Sequence, residues 1–83
     1  MKNILVTMEK SAEEFVSEAK KILEEAKEVE ITGHSRETVK AVDVAELLKI
    51  HGAKEEEITI NTDEAEIDGK KIRTSKISIK LKM

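Results

Sequence analysis

The tightest constraint in this chain lies near its end. Asp68-Gly69 is a strong two-residue hairpin signal, and the residues on either side of it pair in a readable register. Set symmetrically about the turn, Ile60 faces Ile77 and Ile58 faces Ile79. Glu66 then faces Lys71, Glu64 faces Arg73, Glu57 faces Lys80 and Glu55 faces Lys82. Apolar meets apolar and acid meets base. Each such pair contributes about 0.2–1 kcal/mol, and their agreement selects one register. The base of the hairpin is apolar on one face and is expected to join a core. Its outer part, Thr62 to Ser75, has few apolar residues and is expected to project into water.

The segments before the hairpin alternate between strand and helix. Asn3-Ile4-Leu5-Val6-Thr7 is rich in branched residues, and its consecutive apolar positions read as a strand buried on both sides. After Met8-Glu9-Lys10, Ser11 and Glu14 form a capping-box pattern that opens a helix. Ala12, Phe15, Val16, Ala19, Ile22, Leu23 and Ala26 recur on one face of that helix, and the opposite face is a solvated mosaic of Glu and Lys. Val29 to Thr32 alternates as a second strand, with Gly33 marking its end. Ser35 is a plausible cap for a second helix that runs to about His51, with Gly52 as the stop. This helix carries Val39, Val42, Val44, Ala45, Leu47 and Leu48, too many for one narrow stripe. The wide coverage predicts two buried contacts, one on a sheet and one on a second chain, with Val44, Leu47, Leu48 and Ile50 as the dimer-interface residues.

The order strand, helix, strand, helix, strand, strand predicts an α+β fold. It is a two-layer βαβαββ sandwich, with a mixed four-stranded sheet, two helices on one face and a projecting hairpin arm. At 83 residues the chain is expected to form one domain, 1–83. Chains of this size bury only about 60% of their unfolded surface. Without Cys no disulfide can add stability, which leaves dimerisation as a common remedy. The single aromatic, Phe15, implies an aliphatic core. Charged residues reach 40%, rich in Glu and Lys, which suits a thermophile. With no secretory signal and no apolar run near about 18 residues, the expectation is a soluble cytoplasmic protein with no membrane partner.

Catalysis has little support. Cys and Tyr are missing, and the two histidines, His34 and His51, lie far apart. Ser35 beside His34 is not a triad, because neighbours in a turn rarely aim at one point. A metal site needs three or four convergent ligands, so no metal and no cofactor are expected. His34 reads as a turn residue and His51 as a helix-end residue that favours the dipole.

The string Lys40-Ala41-Val42-Asp43-Val44-Ala45-Glu46 resembles the second helix of the Alba family, small archaeal-type DNA- and RNA-binding chromatin proteins. The resemblance implies an Alba-like dimer with three nucleic-acid contact zones, and nucleoid association if it binds DNA. The first zone is the loop after strand one, commonly of Gly-Lys-Lys-Pro type, which here reads Met8-Glu9-Lys10-Ser11. Lys10 is kept and Glu9 stands in the other lysine position. The second is the Arg-Gly-Arg turn, here His34-Ser35-Arg36, with Arg36 kept. The third is the hairpin arm, with Lys70, Lys71 and Arg73. Lys40, inside the helix match, is also retained, either as a contact or in service of the local fold. Family members often end the second helix with basic and aromatic residues that help dimers meet along DNA. Here Lys49-Ile50-His51-Gly52 lacks the aromatic.

Charge runs against a strong version of this reading. Fifteen basic and eighteen acidic side chains give a net charge of −3. The arm itself sets three bases, Lys70, Lys71 and Arg73, against four acids, Asp63, Glu64, Glu66 and Asp68. Phosphate neutralisation supplies most non-specific affinity, so DNA or RNA binding is expected to be weak and salt-dependent. The alternative is an Alba-fold dimer that has lost nucleic-acid binding and serves as a structural or protein-interaction module, resembling the stage V sporulation protein S relatives of the family. On that reading the same bases are ordinary surface charge.

Overall fold

A computed structural model describes the backbone of residues 1–83 and every side chain except that of Ala65. The elements are β1 (Asn3–Leu5), α1 (Ala12–Ala26), β2 (Glu28–His34), α2 (Glu37–Ile50), β3 (Lys54–Ile67) and β4 (Lys70–Lys82). They form the expected α+β arrangement, a mixed four-stranded sheet in the order β1-β2-β4-β3. β1 runs parallel to β2, and β4 is antiparallel to both β2 and β3.

Local chemistry sets the helix ends. The Ser11 hydroxyl accepts from the Glu14 N–H at 3.2 Å and so caps α1. The Glu14 carboxylate accepts from the Ser11 hydroxyl at 3.4 Å, in place of the Ser11 N–H that a full capping box would use. At the start of α2 the expected Ser35 side-chain cap is replaced by its main chain. The Ser35 carbonyl accepts from both the N–H and the hydroxyl of Thr38, at 3.2 and 2.8 Å. At its far end, the N–H of Gly52 donates to the Lys49 carbonyl and that of Ala53 to Leu48, both at 3.0 Å. Ala53 and Leu48 are both buried, the apolar contact that accompanies such a stop.

The hairpin register agrees with the sequence along most of its length. Ile60 pairs with Ile77, Ile58 with Ile79, Glu57 with Lys80, Glu64 with Arg73 and Glu66 with Lys71. Asp68 and Gly69 take φ of 51° and 76°, the doubly left-handed turn that matches strand twist. The expected Glu55–Lys82 pair does not form. The register shifts between Glu55 and Glu57, so Lys54 meets Lys82 and Glu55 meets Leu81. The bulge frees the Glu55 carboxylate to take the Lys49 ammonium at 2.7 Å.

Both helices lie on the same face of the sheet, and two strand expectations change. β1 is an edge strand with one buried face. Ile4 and Val6 enter the core, and Leu5 is half exposed on the open side. β2 does not stop at Gly33 but continues to His34. Gly33 serves the crossing of α2 over β2. A Cβ there would lie 2.6 Å from the Glu37 carbonyl oxygen and 2.8 Å from the Ala41 Cβ.

One apolar cluster fills the space between sheet and helices. Phe15, Val16, Ala19 and Leu23 come from α1, and Ala41, Val44, Ala45 and Leu48 from α2. Val29, Ile31, Ile77, Ile79 and Leu81 rise from the sheet. Val44 and Leu48, expected from sequence at a dimer interface, are sealed inside the chain's own core at 0% and 1% exposure. The apolar residues that α2 leaves uncovered are Val39, Val42 and Ile50, spaced to share one side of the helix.

Gly33→Ala is expected to destabilise the fold by about 1–3 kcal/mol, because the nearest atom is helix backbone and α2 must move as a body. Urea unfolding followed by circular dichroism measures this.

Candidate nucleic-acid interface

The sheet topology gathers the three zones. β1 and β2 are parallel, so the β1–α1 loop and the β2–α2 turn leave the sheet at the same end. β4 opposes β2 with Lys76 against His34, so the arm that feeds β4 springs from that end too. The zones, far apart in the chain, therefore share one pole of the molecule. The molecule measures 45 × 24 × 18 Å.

In the first zone, the Lys10 ammonium sits 2.6 Å from Glu18 Oε1 and 5.7 Å from the centre of the Phe15 ring. The hydrogen bond to Glu18, and then the charge of that carboxylate, hold the Lys10 pKa above its usual 10.5. A raised lysine pKa means the pair is fully formed below 10.5 and is lost only as pH rises through the higher folded value. At neutral pH Lys10 is therefore charged and paired. Lys40 turns its ammonium to main-chain oxygens, at 2.9 Å to the Thr7 carbonyl and closely to that of Lys10.

In the second zone, His34 ends β2 as a strand residue and not a turn residue, and its side is exposed. Ser35 takes φ of 50°, a left-handed backbone that disfavours any side chain with a Cβ. Its N–H donates to the Ser75 carbonyl at 2.7 Å, which ties the turn to the root of the arm. Arg36 is exposed beside it. The third zone holds Arg73 3.4 Å from Glu64, with both side chains well exposed. Among the described residues Arg36, Lys70 and Lys71 make no ion pair.

Beside this pole, a groove runs between α2 and the root of the hairpin, with Ser75 and Lys76 at its edge. Val39, Val42, Ile60 and Ile77 line it, with Val39 67% and Ile60 70% exposed. Leu47 faces elsewhere, into the cleft between the helices with Val16 and His51. No group of three or more His, Cys, Asp or Glu among the described residues is placed to hold a metal ion. Among the described residues no helix is long and apolar enough to cross a membrane.

Comparison with known proteins agrees with this architecture. The Alba family model matches residues 2–63. The chain belongs to the Alba family. Its fold is similar to that of Alba from Thermoplasma volcanium, with a TM-score of 0.81 and 28% identity over 98% of this chain and 99% of that one. It also resembles ALBA1 from Trypanosoma brucei, with a TM-score of 0.81 and 24% identity over 96% of this chain and 67% of that one. No curated protein sequence matches significantly. Alba proteins are generally non-enzymatic binding proteins that bind nucleic acids and commonly form dimers.

The left-handed φ of Ser35 is one that glycine adopts without strain, which suits the glycine that the resemblance implies at this turn. Lys76 is a base that sequence reading passed over. It lies in register with His34 on one side and Asn61 on the other. The β2–β4 pairing was its only signal, and no turn marks that pairing in the sequence.

Glu18→Gln is expected to lower the Lys10 pKa toward the ordinary lysine value, because both leading causes of the rise come from that carboxylate. An alkaline NMR titration of the Lys10 Cε resonance reads it. Ser35→Gly is expected to stabilise the fold by up to about 1 kcal/mol, read by thermal unfolding.

Proposed function

We propose that this Alba protein is a homodimeric, weak and salt-sensitive binder of DNA or RNA. The contacts lie at the pole where loop, turn and arm converge. The observation that carries this reading is the shared pole itself. Lys10, Arg36, His34, Lys76 and the arm bases Lys70, Lys71 and Arg73 all belong to segments that leave or enter the sheet at one end. A polyanion reaching that end meets several bases at once, and several phosphate contacts together are what non-specific affinity needs.

The same geometry supports weak rather than tight binding. Lys10 and Arg73 already hold carboxylates, Glu18 and Glu64, so a phosphate must displace a partner at each. Glu9 stands where a second loop lysine would add charge. These pairs also favour a second reading, an Alba-fold dimer that has given up nucleic acid for a structural or protein-binding role.

The dimer surface we infer is the groove edge formed by Val39 and Val42 on α2 and Ile60 on β3, extended by Ile50. A second copy is the occupant because 83 residues bury a small core, and this side of α2 leaves aliphatic surface in water that an isologous contact would cover. Of the residues expected from sequence, Ile50 is exposed on this side of α2, and Leu47 lies in the cleft between the helices instead.

A gel-shift titration with duplex DNA and structured RNA, at rising salt, tests the function. Binding at low salt that falls steeply toward physiological salt supports it. Absence of any shift at low salt and high protein would select the structural reading. In the same assay Glu18→Gln should bind about two- to five-fold more tightly than wild type. Val39→Glu with Ile60→Glu should weaken dimerisation by about 30-fold or more, measured by sedimentation. A wild-type chain that sediments as a monomer at every concentration would remove the dimer.

A further inference from the structure

We propose that Lys40 is a positioning residue for the β1–α1 loop and makes no phosphate contact itself. Its ammonium acts as a clamp that sets where the loop holds Lys10. The inference deepens the nucleic-acid reading above and rests on it.

Three observations converge on this side chain. Its Nζ donates to the Thr7 carbonyl at 2.9 Å and to the Lys10 carbonyl. These residues lie between β1 and α1, where neither the sheet nor the helix ladder takes their carbonyls. A lysine ammonium has three donors and no acceptor, so two are committed to the loop. The remaining charge faces the Phe15 ring, whose centre lies 5.6 Å from Nζ. That is within the distance at which an aromatic face attracts a cation.

Phe15 is the chain's one aromatic and is almost fully buried. Its ring carries both Lys40 and, at 5.7 Å, Lys10. The ring is thus a fixed shelf between the clamp and the lysine it positions. α2 contributes the clamp, α1 the shelf, and the loop between β1 and α1 the positioned residue. Without the clamp, two carbonyls lose a donor and the path from Thr7 to Ser11 loses its tether to α2. Lys10 would then sample many positions, and ordering it on binding would cost affinity.

A direct contact and a positioning role differ in additivity. If Lys40 touched phosphate, Lys40→Met would weaken binding by the same factor whether or not Lys10 is present. A positioning residue acts only through the group it positions. Lys40→Met is therefore expected to reduce low-salt DNA affinity about five-fold in the wild-type background. In a Lys10→Met background it should change affinity less than about 1.5-fold, the signature of coupled sites. Lys40→Arg, which keeps several donors, should recover most of the loss.

Backbone nitrogen-15 relaxation without nucleic acid gives a second readout. Order parameters at residues 8–10 should fall in Lys40→Met while those in β4 stay unchanged. Lys40→Gln, which keeps an N–H donor, replaces Lys40→Met if that chain does not fold. Equal loss of affinity in both backgrounds would overturn the positioning role, and so would a general fall in order across the sheet. Unchanged order at 8–10 would overturn the clamp itself. A wild-type chain that binds no nucleic acid would remove the functional reading, and the relaxation measurement would still decide whether the clamp exists.

Discussion

The fold depends on the closeness with which α2 crosses β2. Gly33 leaves room for the Glu37 carbonyl and Ala41 at distances that no Cβ would permit. Because α2 sits that low, Ala41, Val44, Ala45 and Leu48 reach Ile31, Ile77 and Ile79 and close the core. Small residues at the crossing let the larger ones to either side close on the sheet. The same seating brings Lys40 to the β1–α1 loop and holds the N-terminus of α2 beside the turn that carries Arg36. One tight contact thus places both the core and two of the three candidate zones.

Charge at the functional pole is divided between fold and ligand. Lys40 is spent on main-chain oxygens, Lys10 on Glu18 and Arg73 on Glu64. Arg36, Lys70 and Lys71 make no ion pair among the described residues. Exposed pairs of this kind hold their partners weakly, so they temper an anion's approach without forbidding it. The balance of the pole therefore resides in pairings, which a net charge of −3 does not reveal. Residues identical in type differ in availability because their neighbours differ.

Much was legible in the chain itself. The hairpin register followed from local pairing about Asp68-Gly69, where each acid and base lies opposite its partner by count along the strand. The α1 start followed from Ser11 and Glu14, and the α2 stop from Gly52. Adjacent residues determine such features, so adjacent residues reveal them. The Glu55 bulge escaped because one inserted residue leaves no mark in the sequence, and the partner it gives Glu55, Lys49, lies across the α2–β3 corner. The open side of β1 escaped because a consecutive apolar run says how greasy a strand is, not which layer covers it.

The sequence by itself determined the element order, the hairpin's partners and the aliphatic character of the core. These depend on periodicity, turn chemistry and composition, all of which are local. Only the tertiary structure decided which apolar residues of α2 face inward. It buried Val44 and Leu48 and left Val39, Val42 and Ile50 to water, because hydrophobicity carries no direction until a sheet lies on one side of the helix. Only the tertiary structure, likewise, showed Lys40 turned into the protein and Lys76 set beside His34. Both placements arise from strands and helices that meet across more than thirty residues of chain, a distance that no pattern of neighbours encodes.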